Sequence, residues 1–371
     1  MKKLVFSAVS LDVGGIETAL VTLLNYLAKQ KENEEYRYEI TLFLEKKEGI
    51  FLNEIDKRIQ IKEYSPCKLK LAVIRKFINL VKQTMFKIKY KDKFDFSCAY
   101  ATYSKPASFV ARTASKNSCL WVHLDYLAFF GNNQEETKAF FCGVKESEFK
   151  HIVCISEKSM ESFLKLFPEE KEKTIHINNL IDYNKILKLA DEPISEEFNN
   201  TEVTTFINIG RHEEGQKRLS RLIQACQMLK EDKETNGKFR LILIGDGIDS
   251  ERYKNMVNNY RLQNEIEMLG KKKNPFPYLK ASDCFVLCSN YEGYPVVYVE
   301  SMILNKPIIT TYVSGTKEIE EEGYAEIVKP DLESIYQAMK KFIQHNRNEI
   351  KNKFNPVQYN EKIIKQLEKI F

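Results

Sequence analysis

The stretch that most constrains this chain is the apolar run 284–288 followed by Ser289-Asn290-Tyr291-Glu292-Gly293-Tyr294-Pro295 and then by residues 296–300. A short buried strand, a polar loop carrying Gly293 and a proline at the first helical position predict a strand-loop-helix turn. The first-turn amides of such a helix lack internal acceptors and lie at the positive end of its dipole, so phosphate oxygens are their natural ligands. Glu292 then falls in the loop and Glu300 inside the helix. Carboxylates beside an anion-binding helix start suit a ligand that carries hydroxyls as well as phosphate, as riboses and sugars do. Val296, Val297 and Val299 are β-branched and also permit a buried strand with Glu300 at its edge, so this stretch alone does not decide.

The same unit recurs along the chain. Residues 3–9 read as a strand, Asp12-Val13-Gly14-Gly15 as a glycine loop, and residues 18–27 place Ala19, Leu20, Leu23, Leu24 and Leu27 at helical spacing. This opens an α/β domain, with glycines that let the backbone come close to a ligand over the helix start. The loop is not the G-x-G-x-x-G of a dinucleotide fold; a tight βα turn is the other reading. Further strands are expected at 38–44, 94–100, 118–123 and 151–156, and the segment 174–182 closes the first set. His123 ends one of these runs, where α/β sheets place their ligands, although a lone histidine there can equally be structural.

The polar stretch 191–200, with Pro193 inside it, is the expected domain junction. After it the pattern restarts: strand 204–209, the charged loop from Gly210 to Arg218, and a helix over 219–229. Strands follow at 239–244, leading into Gly245-Asp246-Gly247, at 266–270 ending on Gly270, at 284–288 and at 307–312. Arg211 and Lys217 flank a glycine-bearing loop at a helix entrance. One supplies a flat fork of donors and the other a mobile point charge, a pairing suited to a diphosphate. Residues 360–371 read as a last helix with its own apolar face.

At 371 residues the chain exceeds what one core holds, and two domains are expected. Apolar content of 43% and charged content of 29% exclude disordered and collagen-like classes. The eight scattered cysteines lack metal or redox spacing and read as reduced core residues of a cytosolic protein. No cleavage-site pattern follows the N-terminus and no apolar run spans a bilayer, so a protein neither secreted by that route nor transmembrane is expected.

The net charge of +5 is unevenly placed: residues 1–180 hold 29 Lys/Arg against 23 Asp/Glu, and the remainder 28 against 29. No zinc-finger spacing or aromatic-interleaved basic motif accompanies the surplus, so nucleic acid is not an expected partner. Much of it lies in residues 68–93, where nine cations and the single acid Asp92 surround Leu71, Ile74, Phe77, Ile78, Val81, Met85 and Phe86. This predicts a basic amphipathic helix whose apolar side packs on the core. The near absence of acids points to an anionic membrane surface as its partner.

With these residues in hand, the chain resembles a retaining nucleotide-sugar glycosyltransferase of the GT-B fold, in glycosyltransferase family four, which also holds sucrose synthases and many bacterial surface-polysaccharide enzymes. The resemblance rests on Gly210-Arg211, Lys217, Gly245-Asp246-Gly247, Gly270 and above all the E-x7-E spacing of Glu292 and Glu300 around Gly293-Tyr294-Pro295. Gly14-Gly15, Trp121-Val122-His123 and the segment 178–182 match more loosely. One departure is the loop between Arg211 and Lys217, which carries His212 and Gly215-Gln216 rather than a simpler form.

The resemblance implies an α/β architecture of two Rossmann-like domains facing a central cleft: an acceptor-side domain over 1–185, a donor-nucleotide domain over 200–355, and a helix over 356–371 that crosses back to the first. It implies that Arg211 and Lys217 contact the donor diphosphate, that Glu300 takes the ribose hydroxyls, and that Glu292 lies by the reacting sugar. The amides of Gly293, Tyr294, Pro295's neighbour Val296 and Val297 would hold phosphate, and Gly245 and Gly270 would line the donor. Gly14 and Gly15 would lie against the donor, and His123 would face the transferred sugar. The donor is expected to be a UDP-sugar, with no metal or other cofactor required, and the acceptor a lipid-linked or cell-surface glycan. A cytoplasmic protein, peripheral on the inner face of the membrane, is the matching location. A nucleotide-sugar epimerase of the same fold and a non-catalytic glycosyltransferase-like subunit are the alternatives.

Overall fold

A computed structural model describes residues 1–12, 14–194, 203–345, 350 and 353–371. These form two units, Met1–Ile181 with Tyr359–Phe371, and Asp182–Gln358. The expected junction at 191–200 lies from residue 195 onward outside the described residues.

The first unit is built on β1 (Lys2–Ala8), a short hairpin of β2 (Lys31–Glu32) and β3 (Glu35–Tyr36), then β4 (Tyr38–Leu44), β5 (Gln60–Glu63), β6 (Phe96–Ala99), β7 (Ser118–Val122), β8 (His151–Cys154) and β9 (Thr174–His176). Apart from the hairpin they form one sheet in the order β5-β4-β1-β6-β7-β8-β9. Every pairing is parallel, with Leu4 opposite Ile40 on one side and Phe96 on the other. Parallel strands need crossover helices that cover both faces, which is why the inner strands β4, β1, β6, β7 and β8 read as largely apolar runs with buried centres, while the edge strands β5 and β9 are more open. Residues 359–371 complete this unit: the Phe371 ring packs on Phe96 and Tyr38 at 4.8 and 5.9 Å, and Asn360 exchanges two hydrogen bonds with the Ile181 backbone.

The second unit repeats the scheme with β10 (Thr204–Ile209), β11 (Phe239–Ile244), β12 (Ile266–Gly270), β13 (Cys284–Leu287), β14 (Ile308–Thr311) and β15 (Ala325–Val328). Their order is β12-β11-β10-β13-β14-β15, again parallel throughout. Counted within the unit this is 3-2-1-4-5-6, the order of a doubly wound nucleotide-binding sheet. Its core joins Phe206, Leu241 and Val286 of the sheet to Leu222, Ile223 and Met339 of the covering helices. The two Rossmann-like sheets expected from the sequence are present.

Several expectations need correction. Strands β5 and β15 were not anticipated, because the first is a polar edge strand and the second has no fully buried residue. Six of the eight cysteines are buried, but Cys142 is exposed and Cys67 half-buried, so these two are not core residues. Residues 68–93 do contain a helix, Ala72–Tyr90, yet of its side chains only Phe86 is buried. The apolar stripe expected to meet the core instead faces outward. Among the described residues no helix is long and apolar enough to cross a membrane.

Candidate active site

In a sheet of order 3-2-1-4-5-6, the loops after strands 1 and 4 leave in opposite directions and open a crevice between them. In the second unit these are the loops after β10 and β13, and the structure joins them there. The β10 strand runs into Gly210 and, through Arg211 to Glu213, into a single helical turn, Glu214–Lys217. Its N-terminal end is held by Asp249, whose carboxylate accepts from the Glu214 amide at 2.7 Å. The buried Glu214 carboxylate accepts in turn from Tyr253 Oη at 2.9 Å and pairs with Arg218 at 3.1 Å. Arg218 closes the turn in the left-handed region at φ 52°, a conformation this bracing sustains.

The turn aims Lys217 at Glu292. Lys217 Nζ lies 2.6 Å from Glu292 Oε1, and Gln216 Nε2 reaches Glu292 Oε2 at 3.3 Å. The backbones are tied as well: the Asn290 amide donates to the Gln216 carbonyl at 2.8 Å, and Asn290 Nδ2 to the Gly215 carbonyl at 3.0 Å. Two positions 75 residues apart in sequence thus form one rigid edge. Gln216 and Asn290 were not anticipated; only their adjacency to Lys217 and Glu292 marks them in the sequence.

After Glu292 the chain enters the helix Val296–Ile303, with Pro295 as N-cap rather than as the first helical residue. This settles the ambiguity of the valine run in favour of helix: Val299 packs inward and the Tyr298 hydroxyl reaches Thr310 Oγ1 at 2.6 Å inside the core. Glu300 sits just over one turn into this helix and is partly buried, and desolvation pushes its carboxyl up to about 7. Among the described residues its carboxyl bonds no protein group.

A second loop cluster backs the first. Gly245 has φ 146°, and a Cβ there would fall 1.8 Å from the Gly210 carbonyl oxygen; one at Gly247 would fall 2.3 Å from the His212 carbonyl oxygen. Only glycine allows the β10 and β11 loops to touch in this way. The Gly245 amide donates to the Gly270 carbonyl and the His212 amide to the Asp246 carbonyl, each at 3.0 Å. Gly245 and Gly270 are therefore brought into one frame with Gly210. His212 is buried, its Nδ1 2.9 Å from Ser250 Oγ, and burial lowers its pKa. It braces the loop.

Arg211 is not brought to the Lys217–Glu292 pair. Its side chain is 68% exposed and its guanidinium lies 3.4 Å from Glu213.

The first unit carries the remaining candidates. Gly14 caps the helix Gly15–Lys29 at φ −175°, an extended conformation open to any residue, and a Cβ at Gly15 would meet nothing. A Cβ at Gly14 would fall 2.1 Å from Glu17 Oε2, the far end of a flexible side chain, so only Gly15 leaves open space, and neither glycine makes a turn that requires one. His123 follows β7 and is buried against the Tyr100 ring at 4.4 Å and the Trp121 ring at 6.4 Å. Burial pushes its pKa down to about 3, so the imidazole is neutral, and its Nε2 has no protein partner among the described residues.

The chain is similar to known proteins. Residues 191–361 match the family model of the glycosyl transferases group 1. The chain is 38% identical over 156 residues to an uncharacterized glycosyltransferase of Methanocaldococcus jannaschii, covering 41% of this chain and 37% of that protein. It is 25% identical over 203 residues to N-acetylgalactosamine-N,N'-diacetylbacillosaminyl-diphospho-undecaprenol 4-alpha-N-acetylgalactosaminyltransferase of Campylobacter jejuni, covering 53% of this chain and 52% of that one. The chain thus spans between about a third and a half of these relatives' lengths. Among solved structures it is similar to Anabaena HepE in complex with UDP and glucose, with a TM-score of 0.73 at 18% identity over 99% of this chain and 100% of that one. The chain accordingly has the GT-B fold, and its residues 191–361 are similar to the glycosyl transferases group 1.

Proposed function

We propose that the chain is a retaining glycosyltransferase, of family four, that moves a sugar from a nucleoside diphosphate to a glycan acceptor. The observation that carries this reading is the Lys217–Glu292 pair set at the switch point of the second sheet, in the loop that leads into the helix carrying the unpartnered Glu300. Lys217 and the first-turn amides of helix Val296–Ile303 stand where a diphosphate leaving group gathers charge, and donors fixed in advance stabilise that charge without reorganising. Arg211, freed from Glu213, adds a second cation. Glu300 accepts from the ribose hydroxyls, and Glu292 and Gln216 orient the sugar. His123 of the first unit, neutral with a free Nε2, is suited to hydrogen bonding a sugar hydroxyl.

In the reaction the bond between the anomeric carbon and the β-phosphate oxygen breaks, and the nucleoside diphosphate leaves with the electron pair. An acceptor hydroxyl oxygen then bonds the anomeric carbon from the same face, and its proton passes to the departing phosphate. No side chain of the second unit's site is offered as a covalent nucleophile. The protein supplies charge stabilisation and position.

UDP is the nucleotide we assign to the donor, since HepE binds UDP and glucose in the similar structure. A lipid-linked or cell-surface glycan is the assigned acceptor, since the Campylobacter jejuni relative is named for a diphospho-undecaprenol substrate. The test is incubation of the purified protein with a panel of UDP-sugars, with and without undecaprenyl-diphosphate-linked glycans. Slow donor hydrolysis alone and transfer in the presence of acceptor are expected; epimerisation of the donor, or no turnover of any donor, would contradict the reading.

A further inference from the structure

The helix Ala72–Tyr90 is amphipathic the wrong way round for a protein in water alone. Phe86 is its one buried side chain, packed on Phe43, Tyr64 and Phe109. The opposite face carries Val73, Phe77, Leu80 and Ile88, with Ile74, Val81 and Met85 beside them, all exposed; Val73 is 82% and Ile88 76% accessible. At about 100° per residue these seven fall within an arc of about 140°, a continuous stripe along the helix. Leu69 and Leu71 extend it at the start. An exposed apolar surface of this extent marks an interaction site.

What covers the stripe is indicated by its borders. Lys76 and Lys87 lie along one edge, Arg75, Lys82 and Lys89 along the other, and the helix itself contains no acid. A second copy laid face to face would set these cations against each other. Along the Lys87 edge lies an open cavity of about 530 Å³ between this helix, the helix Lys105–Ala114 and residues 143–148. Five of its lining side chains are cations. Arg112 and Lys145 both pair with Glu148, while no carboxylate pairs with Lys87, Lys91 or Lys105 among the described residues.

We propose that this face of the first unit docks on an anionic lipid bilayer. The stripe lies among the acyl chains at the interface, the flanking cations meet the headgroup layer, and the cavity takes one lipid phosphate through Lys87, Lys91 and Lys105. Docking through this face uses no residue of the site in the second unit. The lining comes from the flanks of the two helices and from residues 143–148, and none of it belongs to the second unit's site, so the cavity is assigned to lipid rather than to that reaction site.

Vesicle flotation of the full chain tests it. Partition onto vesicles of equal phosphatidylcholine and phosphatidylglycerol should exceed that onto phosphatidylcholine alone at least tenfold and fall at high salt. Replacing Phe77 and Leu80 together by Asp should reduce it at least tenfold with thermal melting unchanged, since both side chains are exposed. Lys87→Glu with Lys105→Glu should cost several-fold more than Arg75→Glu with Lys89→Glu, which removes the same charge outside the cavity. Equal losses in the two charge reversals would overturn the phosphate site. Equal binding to neutral vesicles, no binding to either, or a concentration-dependent dimer abolished by the Asp variants would overturn the docking itself.

Discussion

Lys217 Nζ lies 2.6 Å from Glu292 Oε1, with the two side chains only 14% and 7% exposed. Desolvating such a pair is expensive, and its mutual attraction repays the cost only when remaining donors and acceptors are also satisfied. Here Gln216 takes the second carboxylate oxygen, and the helical turn that carries both Gln216 and Lys217 is locked by Asp249 and Glu214. A buried pair held this way is weak evidence of a stabilising contact, and its fixed geometry fits a site set in advance for a charged ligand.

Removing one partner separates the two roles. Lys217→Ala leaves Glu292 buried and uncompensated, so it should lower the melting temperature as well as turnover, the latter by about 10²-fold or more. Lys217→Ala with Glu292→Gln should recover the melting temperature and none of the activity. Arg211→Ala, at an exposed side chain, should leave melting unchanged and still slow turnover about 10²-fold. Calorimetric melting and initial rates on the four proteins check this; near-normal rates in both single variants would place the diphosphate elsewhere.

Glu300 supplies a pH dependence. Burial holds its carboxyl up to about 7, so the folded protein binds a proton that the unfolded chain has released between the ordinary glutamate range and pH 7. Its contribution to stability therefore falls as pH rises through that window. Ribose hydroxyls donate to the ionised form, so donor affinity should run the other way, rising from pH 6 to pH 8 with release of a proton. Glu300→Gln should flatten the affinity profile. Titration in two buffers of different ionisation enthalpy measures the proton directly, and a pH-independent affinity in the parent protein would remove Glu300 from the nucleotide site.

Gly245 tests the loop frame. At φ 146°, with the Gly210 carbonyl where a Cβ would stand, Gly245→Ala must push the β10 and β11 loops apart. A destabilisation of about 2 kcal/mol or more and loss of donor binding are expected, measured by denaturant unfolding and by titration with UDP. Gly15→Ala meets nothing and should leave stability within about 0.5 kcal/mol.

Metal dependence provides a separate check. With Lys217, Arg211 and helix amides assigned to the leaving group, turnover should persist in EDTA within about twofold. Complete loss in EDTA, restored by magnesium or manganese, would show that a cation carries the charge instead.

Most strands of the second sheet were legible in the sequence because buried parallel strands are short apolar runs and each ends on a glycine or polar loop, as at Ile209-Gly210 and Ile244-Gly245, whereas their order, which sets the switch point, is a long-range property that the sequence does not display. The spacing of Glu292 and Glu300 was legible too, since both lie on one strand-loop-helix turn. What periodicity does not give is the surface a stripe faces. Phe77 and Phe86 belong to the same apolar set in sequence, yet one is exposed and the other buried, because only Phe86 finds Phe43 and Tyr64 beneath it. Side-chain choices are equally hidden: the sequence does not tell that Arg211 rests on Glu213 two residues on, or, across 76 positions, that Gln216 rather than His212 reaches Glu292.

The claim that a nucleoside diphosphate sugar binds at the crevice between β10 and β13 is tested most directly by calorimetric titration with UDP-sugars. The measurement compares the parent chain with the variant carrying both Lys217→Ala and Glu292→Gln, whose fold is expected to be intact. Saturable one-to-one binding of at least one UDP-sugar, weakened tenfold or more in the double variant, is the result predicted. Binding undiminished in the double variant, or no binding of any UDP-sugar to the parent, would contradict it.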